Sequence, residues 1–203
     1  MKPSRLVLAA VLAATVPGLG ALPVAVAAAP PATKTAALPS DSVYQLTLPL
    51  TDQHGRTADW RRHRGQPQLV SMFYTSCQYI CPLIVDSGKA IEHELTPAQQ
   101  QRLGILLISM DPARDDPAAL NSVAVKRKLD PKRWSLASPP PGDVRTVAGV
   151  LGVRYRQLAD GEFNHTSALV LLDAEGRVLA RTEQMGSRPD PEFVAAVRRA
   201  TSP

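Results

Sequence analysis

Cysteine is nearly missing from this 203-residue chain: Cys77 and Cys81 are the only two. None lies in or near the first thirty residues, which excludes a lipid-modified cysteine at the start. A purely structural disulfide is a weak explanation of the pair, because a bridge closing so short a loop gains little from restricting the unfolded chain. Aromatic residues make up 4% of the chain, and no run of basic residues interleaved with aromatics occurs. Nucleic acid is therefore not an expected partner. Charge of one sign is not in large excess either. The formal net charge is +5, and setting aside Lys2 and Arg5 leaves 21 basic against 18 acidic residues. That is the balance of a mixed, solvated surface. No internal repeat is present, and the length allows one ordinary domain with a real core plus a tail, not two full domains.

The beginning of the chain differs from the rest. Lys2 and Arg5 precede an apolar run from Leu6 to Val16, and Ala-Val-Ala-Ala-Ala follows at 25–29. This is the layout of a secretory signal with a cleavage site after Ala27. The alternative is an uncleaved membrane anchor, since Leu6 to Ala29 is long enough to span a bilayer, although Pro17, Gly18, Gly20 and Pro23 interrupt it. We therefore expect a signal over 1–29, a flexible Pro/Ala/Ser/Thr-rich linker over 30–42, and one folded domain over 43–203. The expected location is outside the cytoplasm, in the periplasm or cell envelope, with membrane attachment only if the first segment is retained.

Within the domain, Val43–Leu50 alternates as a strand, Asp52–Gly55 reads as a turn, and Arg56–Asp59 as the returning strand of an N-terminal hairpin. Gln68–Tyr74 and Leu103–Ser109 are apolar at most positions, as strands buried on both faces are. Pro82–Leu95 has helical periodicity, and Thr96-Pro97 restarts a short helical turn. Asp116-Pro117 and Asp190-Pro191 each have the form of an N-cap followed by proline in the first turn, opening helices to about Leu129 and Arg199. Arg133–Ala137 reads as a short strand, Asp143–Leu151 as a helix closed by Gly152, and Val153–Gln157 as extended. Thr166–Leu172 and Arg177–Thr182 form a β-hairpin about Asp173–Gly176. Strands alternating with helices, closing on a hairpin and a helix, predict an α/β sandwich. It would have a central mixed sheet flanked by helices, of thioredoxin-like arrangement, with functional groups beyond the carboxyl ends of the strands.

The chemistry centres on Cys77 and Cys81, four residues apart where a buried strand meets a helix. On one helix face their Cα atoms lie about 6 Å apart. That suits a disulfide, which closes over roughly 4.4–6.8 Å, and equally two thiolates clamping a soft metal ion. Of the four histidines, His54, His63 and His93 lie in turn, Arg-rich or charged surroundings and read as solvated surface, His54 having some capacity for surface metal capture. His165 differs, because it stands in the loop just before a central strand. Two thiolates and one imidazole make a three-coordinate soft site with an exchangeable position. A structural zinc site would want four ligands. Copper carried and passed on fits better, and it requires both sulfurs reduced.

Three segments carry a resemblance: Phe73-Tyr74-Thr75-Ser76-Cys77-x-x-x-Cys81-Pro82, Ser109-Met110-Asp111-Pro112-Ala113-Arg114-Asp115-Asp116-Pro117, and Asn164-His165-Thr166-Ser167 through Leu172-Asp173. In this order and spacing the chain resembles the SCO/SenC family from about residue 43 onward. The resemblance implies a thioredoxin-like fold and Cys77, Cys81 and His165 as copper ligands. It also implies a metallochaperone that helps assemble the dinuclear copper centre of cytochrome c oxidase, with an oxidase subunit as the copper-receiving partner. Some members are thought to act instead as thiol-disulfide reductases or redox sensors, for which Cys77 and Cys81 would be the reactive pair and a thiol reductant a further partner. Asp111 and Asp115 match the family's acidic positions, where they influence the site or its docking surface, or else cap the following loop and helix. Asn164 stands where many members have an acidic residue, and Met72 and Phe73 where glycine is common. A peroxidase reading is disfavoured, because Thr75-Ser76-Cys77 is one residue short of Thr-x-x-Cys and no distant resolving cysteine exists.

Overall fold

The protein is represented by a computed structural model that describes residues 37–77 and 80–202, with the side chains of Ile80 and Cys81 also outside the description. The expected signal at 1–29 and the larger part of the expected linker lie outside the described residues. Ala37 to Pro203 forms one compact unit. Among the described residues no helix is long and apolar enough to cross a membrane.

Ser42, 5% exposed, ties the start of this unit to its far end. Its hydroxyl donates to the Glu175 carbonyl at 2.5 Å and accepts from Tyr44 N–H. That cap starts a 3-10 turn at Val43–Gln45. The strand expected over Val43–Leu50 is therefore displaced: β1 is Pro49–Asp52. Val43 and Tyr44 are both buried in this turn. Tyr44 packs edge-on against Trp60 at 5.6 Å. Gly176 meets this pair so closely that an added Cβ would stand 2.3 Å from the Tyr44 ring, and its φ of +85° also demands glycine.

β1 pairs with β2 (Thr57–Asp59) around the expected turn, and a 3-10 turn at Trp60–His63 follows. Asp52 closes the hairpin by accepting from His54 N–H, Arg56 N–H and the Arg56 side chain. β3 (Gln68–Phe73) and β4 (Gly104–Ser109) are buried at every position, as their mostly apolar runs predicted, with Gln68, Ser71 and Ser109 among the buried residues. Between them run α1 (Ile80–His93) and α2 (Pro97–Gln101), the latter opened by a Thr96–Gln99 capping box. α1 lies close on the sheet because Gly88 offers no side chain. A Cβ there would stand 2.6 Å from the Trp134 ring, and Trp134 Nε1–H donates to Glu92 one turn further on.

α3 (Pro117–Lys126) is capped by Asp116 as expected, but it stops short of Leu129 because Lys128 takes the left-handed conformation at φ 51°. β5 (Trp134–Ser138), α4 (Val144–Val150), β6 (Tyr155–Gln157), β7 (Phe163–His165), β8 (Leu169–Leu172), β9 (Val178–Thr182) and α5 (Pro191–Ala200) complete the chain. Asp190 caps α5 and accepts from Thr182 on β9. The main sheet has the order β2-β1-β5-β4-β3-β8-β9. β3, β4 and β5 are parallel and the remaining pairs antiparallel. This is the mixed sheet with flanking helices of a thioredoxin-like sandwich, N-terminal hairpin included. Each large apolar side chain in the three central strands contributes about 1.5–3 kcal/mol by leaving water.

One element departs from expectation near the cysteines. His165, expected in a loop, lies instead in a second, two-stranded sheet, β6 with β7, and β8 begins only at Leu169. The ribbon turns through Leu158–Glu162, where Leu158 N–H bonds Glu162 O and Gly161, at φ +85°, bonds back to Leu158.

Candidate metal centre

Parallel strands leave their carboxyl ends open, and here β3 and β4 end side by side, Phe73 opposite Ser109. From Phe73 the chain runs through Tyr74-Thr75-Ser76 to Cys77, which is 9% exposed and whose N–H reaches Tyr74 O at 3.4 Å. Cys81 follows in the first turn of α1. Its side chain lies outside the described residues.

The cysteine loop is held by Asp115. This carboxylate, 1% exposed, accepts from Thr75 N–H at 3.1 Å, from the Thr75 hydroxyl at 2.6 Å and from the Ser109 hydroxyl at 2.5 Å. Its own backbone carbonyl accepts from the Ser138 hydroxyl at the end of β5. One side chain thus ties the cysteine loop to β4, and its backbone ties both to β5. Burial pushes its pKa up, against the pull of the Ser109 and Thr75 hydrogen bonds. Asp111 works on the other flank. It pairs with Arg114, whose guanidinium also donates to Gly161 O in the ribbon turn. Of the roles left open for the two acids, these contacts give Asp115 the loop that carries Cys77 and Asp111 the ribbon that carries His165. Capping falls to Asp116.

Tyr74 joins the two sides. Its hydroxyl donates to Glu162 at 2.8 Å and accepts from Phe163 N–H at 3.4 Å. Its ring meets the Phe163 ring at 5.1 Å and the His165 ring at 5.9 Å, both edge-on. Burial, then the Glu162 hydrogen bond, raise the phenol pKa, and a hydrogen-bonding contact with Cys77 adds to the shift. One side chain therefore touches both Cys77 and His165.

His165 ends β7, opposite Tyr155. Its Nδ1 lies 3.2 Å from Thr166 O. A carbonyl only accepts, so Nδ1 carries the proton, and the lone pair is on Nε2. Burial holds the imidazole pKa below its ordinary value, which favours the neutral ring. Nε2 is buried and has no hydrogen-bond partner among the described residues. A buried acceptor left so costs about 1–3 kcal/mol, which a metal bond at that atom would offset. The ring borders a cavity of about 590 Å³ with Thr166, Ser167, Glu183 and Met185. A smaller cavity of about 140 Å³ opens beside Cys77, between Thr75, Pro82, Val85 and Arg127.

The other histidines stand apart. His54, in the β1–β2 turn, and His93, at the end of α1, are exposed as expected. His63 departs from its expected solvated state. It is half-buried, and burial, aided by Arg62, lowers its pKa to about 4. Among the described residues no three His, Cys, Asp or Glu side chains converge as a metal site. Sequence reasoning missed Tyr74, Glu162 and Thr75 as supports. Thr75 and Tyr74 adjoin the cysteines, but nothing local connects Tyr74 with Glu162, 88 residues away.

Comparison with known proteins places this arrangement. The chain is similar to the SCO1 protein homolog of Bacillus subtilis (strain 168), 21% identical over 154 residues that cover 74% of this chain and 79% of that protein. The copper-bound ScoI of Bradyrhizobium japonicum has a similar fold, with a TM-score of 0.62, 24% identity and coverage of 76% of this chain and 98% of that one. So has BsSco, described as a member of the Sco family of cytochrome c oxidase assembly proteins with a disulfide switch. Its TM-score is 0.65, with 20% identity and coverage of 77% and 92%. The sequence model of the SCO1/SenC family matches residues 39–202, which takes in every strand and helix described above. The chain belongs to the SCO1/SenC family.

Proposed function

We propose that this protein is a copper-binding metallochaperone in which Cys77, Cys81 and His165 hold the metal as cargo. It would deliver copper outside the cytoplasm, after export on the segment 1–29, to the dinuclear centre of cytochrome c oxidase. The observation that carries this reading is the buried, partnerless Nε2 of His165, its lone pair set by the Nδ1 bond to Thr166 O, on a ribbon that Tyr74 ties to the Cys77 loop. Two thiolates and an imidazole are a soft donor set suited to Cu(I), and a site with three protein ligands leaves room for the acceptor's ligand to enter before the donor's leave. The family and the copper-bound ScoI support the same direction. The chain's own residues do the holding: Asp115 fixes the Thr75–Cys77 loop, and Asp111 with Arg114 fixes the ribbon turn. Competition titration of the reduced protein with Cu(I) should give one equivalent bound. Cys77→Ala, Cys81→Ala and His165→Ala should each lower the affinity at least about tenfold, a loss of about 1.4 kcal/mol. Unchanged affinity in all three variants refutes the reading.

A second reading is thiol-disulfide exchange, with one cysteine attacking and the other resolving. The place of Cys77 at a strand-to-helix junction and its contact with the Tyr74 hydroxyl favour it, as does the disulfide switch described for BsSco. The four-residue spacing is one longer than that of thioredoxin-type enzymes, which favours chelation. Reduction of a protein disulfide at a useful rate without copper would put this reading first.

A further inference from the structure

Many arginines in the fold have an acidic partner: Arg56, Arg61, Arg62, Arg114, Arg127, Arg133, Arg177, Arg181 and Arg198 all do. Arg102, Arg188 and Arg199 do not, and neither do Arg145, Arg154 and Arg156, which line one groove. These last three are exposed, and none has an ion pair or side-chain hydrogen bond among the described residues. They are also gathered in one place. Arg145 stands on α4, and Arg154 and Arg156 flank Tyr155 on the ribbon, so strand alternation turns both away from the face of Tyr155, Phe163 and His165. Arg154, Tyr155 and Arg156 border two cavities at once. One is the 590 Å³ cavity that contains His165, and the other is a groove of about 710 Å³ floored by Pro112, Ala113, Pro141 and Ala148 and edged by Arg145. Of the acids that line these two cavities, Asp111 is taken by Arg114 and Glu183 by Arg181.

We infer that this arginine ridge is the docking surface for the protein that receives the metal, and that the matching face of that protein is acidic. The inference rests on the copper-carrier reading and names its partner's chemistry. Transfer by ligand exchange at His165 requires the acceptor's ligands to enter the cavity beside it, so the acceptor's surface must cover the ribbon. A groove with an apolar floor and an arginine edge has the composition of a protein interface, and guanidinium groups without internal partners are available to carboxylates. Charges so placed act on encounter rate and on choice of partner. A bilayer is too flat to enter a groove.

The test uses two Cu(I)-accepting peptides of equal length, each with two cysteines, one flanked by glutamates and the other by glutamines. At low salt the copper-loaded wild type should transfer metal about tenfold faster to the glutamate peptide. The preference should vanish at high salt and in Arg154→Gln/Arg156→Gln, and should persist in the control Arg102→Gln/Arg199→Gln. Equal rates to both peptides in the wild type, or an undiminished preference in the ridge variant, would overturn the inference. So would equal rates accompanied by ridge-dependent binding to vesicles containing phosphatidylglycerol, which would assign the ridge to a lipid surface. A separate arm needs no copper. A cysteine-free glutamate peptide should shift the amide resonances of residues 154–156 in the metal-free protein, and their silence would count against docking. If the wild type takes up no copper, the carrier reading fails, while this arm still decides whether the ridge binds acidic chains.

Discussion

Replacing Asp115 by alanine removes a side chain that ties the cysteine loop to β4. Three donors lose their acceptor at once: Thr75 N–H, the Thr75 hydroxyl and the Ser109 hydroxyl. A buried donor left unsatisfied costs about 1–3 kcal/mol, and hydrogen bonds to a charged group lie at the upper end. Thr75 is partly exposed, so water replaces part of what is lost there. The variant is also relieved of burying a charge, the effect that raises the pKa of Asp115. The net loss at neutral pH is about 2 kcal/mol, which for a domain of this size lowers Tm by about 4–8 °C. The sign of the pH dependence follows from the direction of that shift. A carboxyl with a raised folded-state pKa binds its proton more tightly in the native than in the unfolded protein. Its contribution is therefore complete below the unfolded value, about 3.9, and is lost as pH rises through the folded value. The deficit of Asp115→Ala should accordingly grow as pH falls from neutral toward about 4. Thermal unfolding of both proteins at several pH values measures this, and Cu(I) competition on the same samples should show weaker retention as the Thr75–Cys77 loop loosens. A Tm loss under about 2 °C, with a deficit that shrinks toward acid and unchanged Cu(I) affinity, would refute the role given to Asp115.

His63 gives a pH effect of opposite sign. Its folded pKa of about 4 lies below the unfolded value of about 6.5, so the unfolded chain binds the extra proton between them, and stability rises with pH across that window. His63→Gln should flatten the stability profile there by roughly 1–3 kcal/mol, read by urea unfolding at pH about 4 and about 7. Tyr74→Phe keeps the ring contacts with Phe163 and His165 but removes the hydroxyl that joins Glu162 and Phe163 N–H. About 1 kcal/mol should be lost. Hydrogen exchange at the Phe163 amide should quicken, and unaltered protection would show that the hydroxyl does not hold the ribbon.

What the sequence disclosed follows the range of the interactions involved. β3 and β4 were legible because strands buried on both faces are apolar at most positions, and the starts of α3 and α5 because an Asp-Pro pair supplies cap and first turn from adjacent residues. The first strand was misplaced because the cap that bends Val43–Gln45 involves Ser42 with Glu175, 133 residues away. β6 was read as extended, but a segment of three residues is too short to show alternation, so β7 and its pairing with β6 stayed hidden, and with them the paired environment of His165. His63 looked solvated among arginines because nothing local reveals a ring that folding covers. Of the candidate site, the cysteine pair was evident from spacing and His165 from its position before a central strand and the order of three motifs. Asp115 was in view, but its reach to Thr75, 40 positions away, was not, since α1, α2 and β4 lie between them.

The central claim is that the imidazole at residue 165 and the two sulfurs hold one copper ion. X-ray absorption spectroscopy of the reduced, Cu(I)-loaded protein tests it directly, because sulfur and nitrogen neighbours lie at different distances and scatter differently. The account predicts two sulfur ligands and one imidazole nitrogen in the wild type, with the nitrogen contribution absent in His165→Ala. A sulfur-only shell that is the same in both proteins would contradict it.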